Sequence, residues 1–463
     1  MCGVIGVYAT TGDVFEAAVN GLFQMQHRGQ DACGLALADG SRVSMHKGLG
    51  YVRQVFAERP VESFAGHIAS GHVRYPTQGS NRRVNAQPHT VSTLGGTVMA
   101  LSSNGDLTNY WDVRRSLEAE GVAFVGTNDA ELLVKFIAWQ HLERGRTIVD
   151  SIRELQRVVR GAYSSTLITR DRLYAIRDLY AVRPLAYGEA DGMWMVASET
   201  AAMDISGVRY RNEVEPGEIV EVGPEGVIRY PHPSLRAARE GRESSAHCVF
   251  EFVYFSRPDS TSFGHRVYDV RKRIGAVLAE GEEVEADVVV PVPDSSNAIA
   301  LGYAQRSGLP FEFGLIRNHY IGRTFISGDK ARRDDGVKHK FNPQRSVFEG
   351  KRVILIDDSI VRGTTLRKIA RMVRGAGATE VHIRIGSPIT RYSCFYGVDT
   401  PTSEELIGNR LDAGAIRAHL TADSLRYLTV DELRSCVDGP DRYCFACFDG
   451  AYPIALTERK ENG

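Results

Sequence analysis

Short runs of β-branched, aromatic and small apolar residues recur through the first half of the chain. They are VIGVY at 4–8, VSMHK at 43–47, TVMALS at 97–102, YSSTLIT at 163–169, MWMVAS at 193–198 and EIVEVG at 218–223. Stretches of helical composition, 14–26 and 130–144, lie between them. This mixture predicts an α+β fold with layered sheets. The pattern changes after 229–247, RYPHPSLRAAREGRESSAH, which has two prolines, many charges and few apolar residues. Beyond it, ADVVVPV at 286–292 and RVILI at 352–356 are nearly continuous apolar runs, each followed by a helical stretch (297–307 and 366–374), and 380–385 supplies another strand. Strands apolar on both faces and separated by helices predict a parallel sheet buried on both sides, an α/β fold. The expected division is 2–228, a linker at 229–247, and 248–463 with a cysteine-bearing C-terminal extension.

Composition narrows the function classes. The chain has 463 residues, 43% of them hydrophobic, enough to bury cores and to exclude a wholly disordered chain. Lys plus Arg is 56 and Asp plus Glu is 57, so there is no basic footprint for nucleic acid. No apolar run approaches the ~18–20 residues that cross a bilayer. The opening MCGVIGVYATTGD lacks the charged leader of a secretory signal, so a cytoplasmic location is expected. Seven cysteines, an odd number, favour free, catalytic or metal-bound thiols over disulfides.

Cys2 follows only the initiator methionine. Removal of Met1 would put a thiol and a free α-amine on one residue, and an amine titrating near ~8 can serve as the thiol's own base. Downstream come LFQMQHRGQDACG at 22–34, HVRYPTQG at 72–79, NAQPH at 85–89, SNGDLTN at 103–109 and TNDAELL at 127–133. In order and spacing these segments resemble the glutamine amidotransferase domain of the N-terminal nucleophile (Ntn) hydrolases, an αββα fold. The resemblance implies that Cys2 attacks the carboxamide of glutamine and that Asn104 and Gly105 stabilise the oxyanion. It also implies that Arg74 binds the α-carboxylate, that Asp129 receives the α-ammonium, and that Thr77 lines the same pocket. Ser102-Ser103 stand where relatives often carry Ala-His, and Cys33 where a small residue is usual. Altered packing behind the oxyanion hole, and a reduced or retuned glutaminase, are therefore expected at worst.

RVILIDDSIVRGTT at 352–365 sets an acid pair, Asp357-Asp358, at the end of an apolar strand, then a hydroxyl-rich loop and a helix. Carboxyl ends of parallel strands are where open α/β sheets bind ligands. The loop's amides, its hydroxyls and a helix N-terminus suit a phosphate. Two carboxylates would repel one, so they suit sugar hydroxyls or a cation. The segment resembles the phosphoribosyl pyrophosphate (PRPP) loop of type I phosphoribosyltransferases. The resemblance implies that Asp357 and Asp358 hold the ribose hydroxyls, and that Ser359, Arg362, Gly363, Thr364 and Thr365 cradle the 5′-phosphate. Ser295 in VPDSS would join the acid pair at one Mg²⁺ per subunit, and Arg323, Lys338 and Lys340 would lie on a closing lid.

Cys444-Phe-Ala-Cys447 alone fits a redox pair, half a zinc site or part of a cluster site. With Cys248 and Cys394 in their sequence surroundings, it resembles the iron–sulfur branch of the amidophosphoribosyltransferase family, where four such thiolates ligate a [4Fe–4S] cluster. Cys436 has no counterpart there. The family resemblance covers nearly the whole chain. It implies glutamine hydrolysis at Cys2 and ammonia displacing pyrophosphate from PRPP to give 5-phosphoribosylamine, the first committed step of de novo purine synthesis. It also implies an ammonia channel, inhibition by purine nucleotides and a homotetramer. A paralogous glutamine-dependent phosphoribosyltransferase with altered activity, and a non-catalytic PRPP-binding regulator, are the alternatives. The regulator would leave the Cys2, Arg74, Asn104, Gly105 and Asp129 set without a purpose.

Overall fold

The computed structural model describes residues 2–75, 82–233, 245–320 and 340–456. The first half contributes thirteen strands: β1 (Gly3–Ala9), β2 (Ala32–Ala38), β3 (Val43–Leu49), β4 (Ile68–Arg74), β5 (His89–Thr93), β6 (Gly96–Leu107), β7 (Gly161–Ile168), β8 (Leu173–Arg177), β9 (Ala186–Ala190), β10 (Met193–Ala197), β11 (Arg209–Glu213), β12 (Ile219–Gly223) and β13 (Gly226–Tyr230). They form a seven-stranded sheet, order β11-β9-β10-β1-β4-β2-β3, and a six-stranded sheet, order β13-β12-β8-β7-β6-β5.

Strand alternation explains the layering. Ile5 and Val7 of β1 pack with Phe15, Ala18 and Leu22 of the helix Phe15–Gln24. Val4 and Tyr8 face the opposite way and meet Ala100, Ile168 and Ala175 of the second sheet. The outer face of that sheet, through Leu101 and Leu167, buries the apolar sides of the helices Asp129–Leu142 and Ile148–Val158. Helix, sheet, sheet and helix therefore stack in four layers.

The second half builds a four-stranded parallel sheet in the order Val288–Pro291, Arg352–Asp357, Glu380–Ile385, Ser424–Tyr427. One face packs through Val289, Ile354 and Ile356 against the helices Val267–Leu278 and Asn297–Ser307. The other buries Leu366, Ile369 and Val373 of the helix Thr364–Gly375. The first two helices cross closely because glycines face each other's backbone. A Cβ at Gly275 would lie 1.8 Å from the Ile299 carbonyl oxygen, and one at Gly302 would lie 2.0 Å from that of Lys272.

A buried ionic chain joins the halves. The Arg28 guanidinium bonds both Glu199 and Glu251, the latter at 2.6 Å, and Arg183 lies 3.7 Å from Glu251 on its other side. All four side chains are fully buried, so each charge must be matched by a neighbour, and removing one would strand the others.

Candidate active sites

β1 delivers Cys2 to the mouth of the sandwich. Its backbone nitrogen donates to Asn104 Oδ1 at 3.2 Å, and its thiol reaches the Tyr75 carbonyl at 3.4 Å. Asn-Gly often marks a turn, yet Asn104-Gly105 lies inside β6. Gly105 has φ +149°, and a Cβ there would fall 1.9 Å from the Ala162 carbonyl oxygen, so only glycine fits. With its oxygen held by Cys2, the Asn104 amide presents a buried Nδ2 that has no hydrogen-bond partner among the described residues. A buried donor left this way is costly unless a ligand accepts from it. An oxyanion forming beside Cys2 is such an acceptor.

Arg74 ends β4, buried, and Gly29 packs onto its backbone. Burial lowers the Arg74 pKa from its ordinary value, and the neighbouring Cys2 and Asp31 push the other way. Asp129 begins the helix Asp129–Leu142 and accepts from the Leu107 amide at 2.8 Å, two residues beyond Gly105 on the same strand. Cys2, Arg74, Asn104, Gly105 and Asp129 thus gather around the ends of β1, β4 and β6. Thr77 lies outside the described residues.

The two serines before Asn104 are accommodated. Ser102 Oγ meets Ser70 Oγ at 3.0 Å between the sheets, and Ser103 Oγ accepts from Ser165 Oγ at 2.8 Å. The strand that carries Asn104 and Gly105 is thereby backed by paired hydroxyls. Cys33 is fully buried in the core beside the helix Phe15–Gln24, opposite Val73 on β4, and burial raises its thiol to about 12.

In the second half, Asp357 closes the Arg352–Asp357 strand. Burial, then the adjacent Asp358, push Asp357 well above the usual carboxylate range. Burial likewise raises Asp358, against hydrogen bonds from the Ser295 and Ser359 hydroxyls and the charge of Arg271. Ser296 Oγ lies 3.2 Å from Asp357 Oδ1. A buried carboxylate beside a half-buried one calls for a cation or a set of hydroxyl donors between them. The chain then turns at Gly363, φ +75°, into the helix Thr364–Gly375, so Thr364 and Thr365 present its first amides. Arg362 is exposed and donates to Glu405 at 2.6 Å. Lys340 lies close enough to Asp357 to favour its ionised form. Arg323 and Lys338 lie outside the described residues.

A cavity of about 620 Å³ opens where the halves meet. The acid pair, Ser295, Lys340 and residues 359–365 line one side, and His27, Gln30, Asp31 and Tyr75 line the other. Tyr75, whose carbonyl touches the Cys2 thiol, links this space to the first set of residues, although Cys2, Arg74, Asn104, Gly105 and Asp129 do not themselves line it.

Cys248, Cys394, Cys444 and Cys447 line this same cavity. Cys248 pairs with Cys444 through the short parallel strands His247–Cys248 and Tyr443–Cys444. Cys394 Sγ accepts from the Tyr396 amide at 3.3 Å and from Arg183 Nη2 at 3.8 Å. Burial raises the Cys248 thiol to about 11 and pushes Cys444 and Cys447 higher, with the sulfurs reinforcing one another. Among the described residues no three or more His, Cys, Asp or Glu side chains are spaced to hold one metal ion. A multi-iron core takes its cysteine ligands as thiolates and deprotonates the thiols that bind it. The donor set, its apolar surround and the hydrogen bonds to sulfur fit such a core. Cys436 stands apart, fully buried, with its thiol on the Glu432 carbonyl at 3.2 Å.

Sequence reasoning missed Arg183, Arg271 and Gln87. Arg183 is buried, donates to the Tyr396 carbonyl at 2.7 Å and fastens 394–397 to the first half. A Cβ at Gly397 would lie 2.9 Å from Gly105 Cα, so this loop backs β6 at Gly105. Arg183 and Arg271 sit in no chemistry-bearing pattern, and Gln87, though inside the NAQPH segment, takes no role from the resemblance; the Tyr396 partner of Arg183 lies 213 residues away along the chain.

An Ntn-type sandwich with a thiol at its second residue, joined to a parallel sheet whose second strand ends in an acid pair and a hydroxyl-rich loop, is the architecture of a glutamine amidotransferase domain followed by a phosphoribosyltransferase domain. The chain matches the glutamine amidotransferase domain family over residues 78–204 and the phosphoribosyl transferase domain family over residues 270–385. It is 43% identical to the amidophosphoribosyltransferase of Mycobacterium tuberculosis (98% of this chain, 86% of that protein). It is 42% identical to that of Synechocystis (99% and 92%). The solved glutamine PRPP amidotransferase of B. subtilis, complexed with ADP and GMP, superposes with a TM-score of 0.89 at 39% identity, covering 99% of this chain and 98% of that one. The chain belongs to the amidophosphoribosyltransferase family, enzymes of glutamine-dependent amidotransfer to PRPP.

Proposed function

We propose that two half-reactions are divided between residues 2–228 and 248–463, with 229–247 as the connection. Once Met1 is removed, the α-amine of Cys2 takes the thiol proton and the thiolate attacks the glutamine carboxamide. Asn104 Nδ2 and the Gly105 N–H receive the developing oxyanion. Arg74 holds the substrate's α-carboxylate and Asp129 its α-ammonium, with Thr77 lining the pocket. Collapse, with the Cys2 α-ammonium returning that proton to the leaving nitrogen, releases ammonia, and water hydrolyses the thioester to glutamate and restores the thiol. Ammonia crosses the shared cavity and displaces pyrophosphate at C1 of PRPP, giving 5-phosphoribosylamine. Asp357 and Asp358 orient the ribose hydroxyls, and Ser359, Arg362, Gly363, Thr364 and Thr365 seat the 5′-phosphate. Arg323, Lys338 and Lys340 exclude water and offset charge on the leaving group.

A Mg²⁺ near Ser295, Asp357 and Asp358 would supply Lewis-acid stabilisation of the departing pyrophosphate. Cys248, Cys394, Cys444 and Cys447 would hold a [4Fe–4S] cluster with a structural role, since neither half-reaction moves electrons. Inhibition by purine nucleotides is supported by the ADP and GMP complex of the B. subtilis relative. Family likeness extends the proposal to a cytoplasmic homotetramer acting at the first committed step of purine synthesis. No helix among the described residues is long and apolar enough to cross a membrane.

The single observation carrying this function is the Asn104 amide, oriented by Cys2 and holding a buried donor toward no acceptor among the described residues. The test is conversion of glutamine to glutamate with and without PRPP and Mg²⁺. Stimulation by PRPP is expected of a coupled synthase. Equal rates would mean two unlinked activities, and no conversion would remove the Cys2 assignment.

A further inference from the structure

Where the oxyanion donors point depends on how the edge of β6 is satisfied. β5 pairs with β6 as far as His89 opposite Leu101, and there it ends. Continued by two residues, that register sets position 87 opposite Ser103. The Gln87 side chain makes the pairing that backbone would have made. Its Oε1 accepts from the Ser103 N–H at 2.7 Å, and its Nε2 donates to the Ser103 carbonyl at 3.2 Å. This is the two-bond exchange of an antiparallel ladder, performed by a carboxamide.

Amides along a strand point alternately to its two edges, so those of Ser103, Gly105 and Leu107 share one edge. Gln87 takes the first and Asp129 Oδ2 takes the third. The Gly105 N–H lies between two clamped neighbours, and Asn104 lies directly beside the Gln87 clamp.

Gln87 is itself seated firmly. Gly34 leaves space for its backbone, since a Cβ there would come 2.3 Å from the Gln87 carbonyl oxygen and 3.1 Å from Pro88 Cδ. Gly34 pairs with Lys47 on β3 and His72 on β4. Lys47 Nζ donates to the carbonyls on either side of Gln87, Ala86 at 2.5 Å and Pro88 at 3.1 Å. His72 Nε2 lies 3.2 Å from the Ser103 carbonyl. A row of one sheet therefore presents Gln87 to a strand of the other.

We propose that Gln87 is a positioning residue for the glutamine half-reaction, setting Asn104 and Gly105 at the height where both donors meet the oxyanion. The proposal rests on the glutaminase assignment of Cys2. The test compares the wild-type chain with Gln87→Met, which keeps volume and loses both hydrogen bonds, and with Lys47→Met, which loosens the seat without touching β6. Loss of a whole oxyanion donor costs about 10²–10³ in kcat, so a misplaced pair predicts a fall of about 10- to 100-fold for Gln87→Met. A smaller fall is expected for Lys47→Met. The KM for glutamine should stay within about threefold, because Arg74 and Asp129 are untouched.

Alkylation of Cys2 by iodoacetamide, followed by intact mass, supplies a readout that a purely structural role would move. Displacement of iodide at carbon forms no oxyanion, so its rate should be unchanged in both variants. Ammonia-dependent pyrophosphate release should also be unchanged. Unaltered glutamine kcat in folded Gln87→Met, or an equal loss of hydrolysis and alkylation, would overturn the proposal. If Gln87→Met does not fold, an unaltered kcat in Lys47→Met overturns it. Glutamine hydrolysis surviving in Cys2→Ala would instead sink the underlying glutaminase assignment.

Discussion

Gly397→Ala joins the two halves in one experiment. The new Cβ would lie 2.9 Å from Gly105 Cα and 3.1 Å from its carbonyl carbon, whereas carbon atoms rest at about 3.5–4.0 Å. Either loop or strand must yield by roughly 0.6 Å or more, the difference from that contact distance. Retreat of the loop is opposed by Arg183, which holds the Tyr396 carbonyl at 2.7 Å. Gly397 also has φ +103°, a region that alanine rarely adopts. Overpacking costs about 1–3 kcal/mol, and the backbone strain about as much again. A shift of that size at Gly105 degrades one oxyanion donor, whose complete loss costs about 10²–10³ in kcat. The glutamine-dependent rate should therefore fall by about 10²-fold, while turnover with ammonia stays within about threefold of wild type. The assay is pyrophosphate release from PRPP with each nitrogen source in turn. An equal fall with both sources, or no fall in a folded variant, would refute the idea that 394–397 supports the oxyanion strand.

Four further outcomes are expected. Cys2→Ala should abolish glutamine-dependent pyrophosphate release and leave the ammonia-dependent reaction, so loss of both would count against separable sites. Asp357→Asn with Asp358→Asn should impair both nitrogen sources, because the shared electrophile is misplaced; normal ammonia turnover would undo the sugar-site assignment. Protein purified without oxygen should be brown with about four irons per chain, and a colourless zinc protein would rule the cluster out. Glu282 predicts a pH dependence. Burial raises its pKa, but hydrogen bonds and charge from Arg384, the nearer at 2.8 Å among those of ordinary length, and the Tyr303 hydroxyl lower it further, from 4.5 to about 2. A depressed carboxylate stabilises the fold above its unfolded pKa, and that contribution is lost as pH falls from 4.5 toward 2. Solvent screening at this partly buried pair reduces it to about 1–2 kcal/mol. Denaturant titrations of Glu282→Gln should show a smaller loss over that window than wild type, and parallel curves would contradict the pairing.

Much of the architecture follows from local chemistry in the chain. Runs such as 4–8, 163–168 and 353–356 become strands because each residue there is buried on one face or the other. The acid pair and hydroxyl loop read as a ligand site because no core role suits two adjacent carboxylates. The fourth parallel strand, Ser424–Tyr427, left little signal, since it lies at the sheet edge, half-buried throughout. Asn104-Gly105 reads locally as a turn. Its place inside β6 is set by pairing with β7 some sixty residues away.

Amino-acid order alone determined which atoms are available: a thiol at position 2, donors at 104–105, carboxylates at 357–358 and four dispersed thiols. Their meeting was decided by the tertiary fold. Cys248 reaches Cys444 only through a pair of two-residue strands, Arg183 reaches the 394–397 loop across the domain contact, and Gln87 completes the edge of β6 where β5 stops. Periodicity records how deeply a segment is buried, because burial acts on each residue where it stands. Hydrogen bonds between positions far apart in the chain leave no periodic trace, because their geometry exists only once both sheets have closed.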